Sequence, residues 1–146
     1  MLRVMIVDDS MIIRRNIANM VSALGHKVVG EAKDGLEAIS IFARLKPDVV
    51  TMDIAMPEMD GIAALRELKK IDKNIKVIMI TSQGQEHMVL DSIKNGASGY
   101  LLKPIEMSKF QSLLRKIFPD LIDGVMLRKM DDKELEDDDI TLPLDE

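Results

Sequence analysis

The sequence predicts an α/β fold in which five parallel β-strands form one sheet and helices cover both of its faces. Short apolar runs alternate with helix-like segments five times within residues 1–118. The runs are nearly continuous in Val, Ile, Leu and Met, which is typical of strands that are buried on both faces of a parallel sheet. Because parallel crossovers are right-handed, the helices should lie on both sides of the sheet, in a doubly wound arrangement.

Each of the five predicted strands is a run of four to six mostly apolar residues that ends at a polar or turn-forming residue. The strands are predicted, in chain order, over Leu2–Val7, Lys27–Ala32, Asp48–Met52, Lys76–Ile80 and Gly99–Leu102.

The first two helices are marked by start and stop residues as well as by apolar residues at helical spacing. Ser10 can cap the first helix, and Gly25 ends it. The pair Asp34-Gly35 opens the second helix, which closes before Pro47. The residues expected to face the core are Ile13, Ile17, Met20, Val21, Leu24, Ala38, Ile39, Phe42 and Leu45.

The last three helices are predicted from the same periodicity. One begins near Gly61, another covers about Gln85–Asn95 and stops at Gly96, and the last covers Met107–Phe118. The inward-facing residues of the first of these three are predicted to be Ile62, Leu65, Leu68 and Ile71.

Polar residues follow four of the five predicted strands. Asp8 and Asp9 follow the first strand, Asp53 the third, Thr81 the fourth and Lys103 the fifth. The carboxyl ends of parallel strands meet at one edge of the sheet, which is where such sheets bind ligands. We therefore expect these five side chains to converge.

The five residues suggest one chemistry when they are taken together. Three carboxylates in one cleft repel each other and would protonate or bind a cation. Oxygen ligands without His or Cys favour Mg²⁺ or a similar ion. A lysine and a threonine hydroxyl would complete a cradle for a tetrahedral dianion, in which a carboxylate can attack phosphorus and form an aspartyl phosphate. Any one Asp is more often a cap or turn residue, so the coincidence at four strand ends carries the argument.

Four segments resemble the bacterial response-regulator receiver family. They are VDDS at 7–10, MDIAMPEMDG at 52–61, ITS at 80–82 and GYLLKP at 99–104. The resemblance covers about residues 1–118, is highly specific, and implies the flavodoxin-like (βα)5 fold. Since no output domain is recognisable after this segment, the chain resembles a stand-alone, CheY-like chemotaxis regulator most.

The resemblance implies roles for the residues at the strand ends. Asp53 would be phosphorylated by a CheA-like sensor histidine kinase. Asp9, Asp53 and the backbone carbonyl of Ala55 would ligate Mg²⁺, with Asp8 acting through water, and Lys103 would pair with the phosphoryl group. The chain would catalyse its own phosphorylation and dephosphorylation and would not be an enzyme acting on other substrates.

The resemblance also implies a switch and an output surface. Thr81 would swing towards the phosphoryl group and Tyr100 would rotate inward, which would change the face formed by the fourth helix, fifth strand and fifth helix. A flagellar switch protein or another output partner would bind there, and a phosphatase is a possible further partner. The Lys103-Pro104 bond is expected to be cis. Ala55 and Gln83 stand where many chemotaxis receivers have Asn and Glu, which leaves the phosphoryl lifetime open.

Other functions stay open at this point. Within the family, the chain could be a phosphorelay intermediate that passes its phosphoryl group to a histidine phosphotransfer protein. A haloacid-dehalogenase-type phosphatase usually has a second Asp two residues after its nucleophile, and Ser10 stands there after Asp8. A flavin site would not suit two acidic residues after the first strand, and a metal-independent pseudo-receiver would not need the full set of acids, threonine and lysine.

Composition excludes several classes of protein. There is no cysteine, no apolar run approaches the ~20 residues that span a bilayer, and the N-terminus lacks the pattern of a secretory signal. Three Phe, one Tyr and no Trp give little material for a nucleic-acid stacking surface. We expect a cytoplasmic monomer that binds neither nucleic acid nor membrane.

Residues 119–146 form an acidic extension beyond the receiver-like segment. They carry eleven acidic and three basic residues, a net charge of −8, whereas residues 1–118 carry a net charge of +3. The segment Asp131–Asp139 is expected to be solvated or disordered. Asp123-Gly124 lies between apolar residues and predicts a hairpin. Whether the extension is only a solvated tail, or docks through Leu121–Leu127 on the body or on a partner, is left open.

Overall fold

A computed structural model describes residues 1–122 and 125–126 of the chain, with side chains described through residue 121. Strands and helices alternate over most of this length, as the sequence predicts. The elements are β1 (Arg3–Val7), α1 (Met11–Ala23), β2 (Lys27–Ala32), α2 (Gly35–Leu45), β3 (Val49–Asp53), α3 (Gly61–Ile71), β4 (Lys76–Thr81), α4 (Glu86–Lys94), β5 (Gly99–Leu102), α5 (Met107–Ile117), β6 (Leu121–Ile122) and β7 (Val125–Met126).

Strands β1 to β5 form one parallel sheet in the order β2-β1-β3-β4-β5. This arrangement confirms the predicted five-stranded parallel sheet with five helices. Strand β3 lies at the centre, and all five of its residues are buried. Because the strands are parallel, the carboxyl ends of β1, β3, β4 and β5 lie at the same edge of the sheet.

Two apolar clusters pack on opposite faces of the sheet, since alternate residues of a strand point to opposite sides. One cluster contains Met5, Val50 and Met52 with residues of α2 and α3. The other contains Ile6, Val49 and Ile78 with residues of α1 and α5. The sheet is therefore covered on both sides, and its three inner strands β1, β3 and β4 are almost completely buried.

The helices begin where the sequence places capping residues. The Ser10 hydroxyl accepts a hydrogen bond from the Ile13 N–H, and the carboxylates of Asp34 and Asp60 accept from the N–H groups three residues ahead of them. The prediction that Ile71 faces inward is wrong, because its side chain is 48% exposed. The helix ends at this residue, and Ile75 in the following turn is buried in the core instead.

After α5 the chain forms a short antiparallel pair, in which Leu121 pairs with Met126 and Ile122 with Val125. This confirms the strand pairing expected from the Asp-Gly signal, although the Asp123-Gly124 turn lies outside the described residues. The Leu121 side chain packs against the apolar cluster on the α1 and α5 side of the sheet. The expectations for Asp131–Asp139 and the rest of the acidic segment also lie outside the described residues. Within the part that the structure describes, no helix is long and apolar enough to cross a membrane.

Candidate functional site

Three carboxylates meet at the carboxyl edge of the sheet. Asp8 and Asp9 follow β1, and Asp53 is the last residue of the neighbouring central strand β3. One oxygen from each carboxylate lies within 4.8 Å of the others, close enough to hold a common metal ion. Asp8 and Asp53 are buried, with 0% and 4% of their surface exposed, whereas Asp9 is exposed. The cluster is thus a buried acidic pair that opens to solvent on the side of Asp9.

Lys103 connects the two buried carboxylates. Its Nζ lies 3.2 Å from Asp8 Oδ2 and 3.4 Å from Asp53 Oδ1. The residue immediately follows β5, where its backbone N–H donates a hydrogen bond of 2.7 Å to the carbonyl of Thr81. The Lys103-Pro104 peptide bond is cis, as expected. Strand β5 thus brings one positive charge to the acidic pair.

Asp8 is fixed through its backbone and one of its carboxylate oxygens. Its Oδ1 accepts a hydrogen bond of 2.9 Å from the Ser10 N–H, and its carbonyl accepts one of 2.7 Å from the Arg14 guanidinium. Arg14 is itself held by Glu31 at 3.1 Å. The other oxygen, Oδ2, is buried and accepts no hydrogen bond from the described residues, so its only charge partner there is the Lys103 ammonium.

The electrostatics of Asp53 reflect this crowding. Burial, followed by the charge of Asp8, raises the pKa of the Asp53 carboxyl from 3.8 to about 6, and the attraction of Lys103 opposes the rise. One lysine therefore does not fully compensate for bringing the carboxylates together. A cation beside the three carboxylates would favour their ionised forms.

The donor set fits a hard divalent cation. All three side chains offer carboxylate oxygens, and the buried Asp8 Oδ2, which accepts no hydrogen bond from the described residues, can accept a further partner. Mg²⁺ prefers such oxygen ligands and commonly keeps several waters, which the exposed side near Asp9 allows. Ala55 lies two residues after Asp53 in an exposed part of the loop before α3, and the contribution of its carbonyl stays a prediction.

Gly61 packs directly against the backbone of Asp53, a role that its position in the sequence does not reveal. Its N–H donates a hydrogen bond of 2.7 Å to the carbonyl of Ile54. A Cβ atom at Gly61 would overlap the carbonyl oxygen of Asp53. Because the obstructing atoms belong to the backbone of Asp53 and Ile54, only glycine allows α3 to begin so close to the end of β3.

Thr81 ends β4 and is 3% exposed. Its Oγ1 lies 3.1 Å from Gln85 Oε1 and 3.3 Å from the carbonyl oxygen of Ser82. Gln85 Oε1 also accepts a hydrogen bond of 2.8 Å from the Ser82 N–H. No role for Gln85 was predictable from the sequence, because its contact with Thr81 depends on the path of the loop.

Tyr100 lies on β5 with 51% of its surface exposed. Together with Leu90, Ile93 and Leu102, it lines an apolar groove that extends to Thr81. The four side chains are each 46–68% exposed. A surface formed by α4 and β5 thus adjoins the threonine at the end of β4.

Comparisons with known proteins agree with this geometry. The sequence model described as response regulator receiver domain matches residues 4–115. The chain is 44% identical to the chemotaxis protein CheY of Thermotoga maritima over 115 residues, which are 79% of this chain and 96% of that protein. It is 45% identical to CheY of Listeria monocytogenes over 116 residues, 80% of this chain and 98% of that protein. A crystal structure of a CheX-CheY-BeF3-Mg²⁺ complex from Borrelia burgdorferi contains a chain that is similar at a TM-score of 0.76 and 34% identity, with coverage of 80% of this chain and 89% of that one.

Proposed function

Because the chain belongs to the response regulator receiver family, we propose that it is a chemotaxis switch that is phosphorylated on Asp53. The chain is a receiver domain similar to CheY proteins, and such a domain is a phosphorylation-dependent switch of two-component signalling. One observation supports Asp53 most strongly. Its carboxylate ends the central strand next to two other carboxylates and 3.4 Å from an ammonium group.

The proposed reaction is phosphoryl transfer to Asp53 from a phosphohistidine of a sensor kinase. A carboxylate oxygen of Asp53 forms the new bond to phosphorus while the bond from phosphorus to the histidine nitrogen breaks, and the imidazole leaves with the electron pair and takes up a proton. The ammonium of Lys103 lies where it can pair with a phosphoryl oxygen after it gives up its contact with Asp53. The chain thereby catalyses its own modification and is not an enzyme that acts on other substrates.

We propose that Mg²⁺ is the cation of this site, held by Asp9, Asp53 and the Ala55 carbonyl, with Asp8 acting through water. When bound, the ion would supply charge neutralisation for the transferring group. The chain's own part is to hold the carboxylates together on adjacent strands, and Arg14 and Ser10 keep Asp8 in place for this.

The proposed output is a change of the surface formed by α4, β5 and α5. Thr81 would turn its hydroxyl towards the phosphoryl group, and Tyr100 would move inward into the groove beside it. Phosphorylation adds about 1.5–2 negative charges, enough to shift the balance between two arrangements of this region. The proposed partners are a CheA-like kinase in the cytoplasm, a flagellar switch protein or other output protein on this surface, and a phosphatase. The Borrelia CheY was crystallised with CheX, a partner that the same reasoning makes a candidate here.

The test is formation of an adduct with acetyl phosphate or beryllofluoride, with and without Mg²⁺, in the native chain and in Asp53→Asn. We expect a Mg²⁺-dependent adduct in the native chain, detected by intact mass for the phosphoryl group and by ¹⁹F NMR for beryllofluoride, and none in Asp53→Asn. Asp60→Asn is the matched control, because Asp60 is exposed in the same loop and Asn preserves its capping role. Equal adduct formation in Asp53→Asn, or none in the native chain, would exclude Asp53 as phosphoacceptor.

A further inference from the structure

The hydroxyl of Thr81 is engaged in its own loop. It faces two acceptors there, Gln85 Oε1 at 3.1 Å and the Ser82 carbonyl at 3.3 Å. A threonine hydroxyl carries one proton, so it can donate fully to only one of them, and the glutamine oxygen is the nearer. Turning this hydroxyl towards Asp53 requires that it leave both acceptors.

The side-chain amide of Gln85 is oriented by a second donor. The Ser82 N–H donates to the same Oε1 atom at 2.8 Å. Since the Ser82 N–H and the Thr81 hydroxyl can both donate, the atom between them must be the amide oxygen and not the nitrogen. The backbone N–H of Gln85 donates in turn to the Ser82 carbonyl at 3.2 Å, so the contact closes a compact loop between β4 and α4.

Gln85 does not serve the helix that it precedes. It occupies the N-cap position of α4, yet within the described structure its side chain makes no capping hydrogen bond to that helix. Ser, Thr, Asp and Asn are the usual residues at such a position because their side chains cap the first turn. The Gln85 side chain instead reaches back to the end of β4.

We propose that Gln85 is a positioning residue that holds Thr81 in the orientation it has without a phosphoryl group, and so sets how easily the switch is activated. The proposal rests on the proposed function, because it assumes that the Thr81 hydroxyl must leave Gln85 in order to donate a hydrogen bond to the phosphoryl group. A neutral hydrogen bond contributes a factor of roughly two to ten to an equilibrium of this kind. Removing the Gln85 acceptor should favour the active arrangement by that factor.

The experiment measures the dissociation constant of beryllofluoride in the presence of Mg²⁺ for the full chain and for Gln85→Ala. We expect Gln85→Ala to bind about two- to ten-fold more tightly, because the hydroxyl no longer has to leave the glutamine. His87→Ala is the matched control, since His87 is exposed in the first turn of α4, two residues from Gln85, and it should bind like the native chain. A structural role for Gln85 alone would predict the opposite sign, because a disordered loop would bind the analogue more weakly.

Two further variants test the route through Thr81. In a Thr81→Val background there is no hydroxyl to hold, so Gln85→Ala should leave the dissociation constant unchanged. Gln85→Glu keeps an acceptor and makes it ionic, so it should bind beryllofluoride more weakly than His87→Glu, which adds a glutamate two residues away in the first turn of α4. Tighter binding by Gln85→Ala that persists with Val at position 81 would overturn the proposed route.

A measurement without metal or beryllofluoride separates this proposal from the proposed function. In ¹³C-methyl NMR spectra of the free chain, the Thr81 methyl resonance should shift in Gln85→Ala and stay in place in His87→Ala. If the native chain binds no beryllofluoride, the proposed function fails whatever the Thr81 resonance does. If the native chain binds it but Gln85→Ala binds no more tightly than His87→Ala, the proposed role of Gln85 fails and the phosphoacceptor assignment stands.

Discussion

Thr51→Val should stabilise the protein, because Thr51 buries a hydroxyl in an apolar layer. The residue lies in the middle of the central strand β3 and is 1% exposed. Its neighbours across the sheet are Ile6 on β1 and Ile78 on β4, both members of the apolar cluster on that face. Its Oγ1 finds no hydrogen-bond partner in the part of the chain that the structure describes. Valine has the same shape and replaces this hydroxyl by a methyl group.

The size of the effect follows from the cost of an unpaired buried hydroxyl. Leaving such a group unsatisfied costs about 1–3 kcal/mol, and we take about 1 kcal/mol because the added methyl must fit a filled core. An unfolding entropy of about 2.1 cal/mol/K per residue gives roughly 0.25 kcal/mol/K for about 120 residues. The expected rise in Tm is therefore about 4 °C.

Thermal and urea unfolding, followed by circular dichroism, measure this change. Thr51→Val should raise Tm and the urea midpoint without changing the denaturant slope, since the surface exposed on unfolding is the same. Val49→Thr is the matched reverse change, because Val49 is wholly buried on the same face of the same strand, and it should lower stability by about 1–3 kcal/mol. If Thr51→Val unfolds at the same or a lower temperature than the native chain, the Thr51 hydroxyl is not the unpaired group described above.

Two other changes test the packing around the site and the amino end of the sheet. Gly61→Ala should lower the free energy of unfolding in urea by about 1–3 kcal/mol and slow the reaction with acetyl phosphate, because its Cβ would displace the Asp53 carbonyl. A variant with native stability and native reaction rate would contradict that contact. His26 Nδ1 accepts a hydrogen bond from the Leu2 N–H, and burial lowers the pKa of His26. Below about pH 6.5 the folded chain therefore binds fewer protons than the unfolded chain, so it loses stability there as the pH falls. His26→Asn should flatten this dependence of Tm on pH, whereas His87→Asn, exposed on α4, should preserve it; equal slopes in all three chains would remove His26 as the cause.

The sheet and the meeting of its polar strand ends were predictable from sequence. Short, continuous apolar runs are readily assigned as buried strands, and parallel strands place their carboxyl ends at one edge of the sheet. Asp8, Asp53, Thr81 and Lys103 were therefore expected at one edge of the sheet, and two ion pairs of Lys103 join it to Asp8 and Asp53 there. The roles of these residues in phosphoryl transfer stay predictions until the adduct is tested.

Features that depend on loop paths and chain ends were not predictable in the same way. Ile71 continues the apolar spacing of α3, but the helix stops there and its side chain stays exposed. The contact between Thr81 and Gln85 needs the turn that includes Gly84, whose φ of +95° gives no signal in residue spacing. The overlap that excludes a side chain at Gly61 depends on a backbone distance between two elements, and periodicity carries no such information.

The exposed ring of Tyr100 also determines what unlabelled spectroscopy can report. The chain has one tyrosine and no tryptophan, so its ultraviolet emission comes almost entirely from that ring, with its three phenylalanines contributing little. The ring is half exposed on β5, next to the groove that leads to Thr81. Emission intensity and its quenching by iodide therefore follow a single known position on this surface, without a background from the core. The protein carries a natural single-site optical reporter at the surface where we expect its signal to leave.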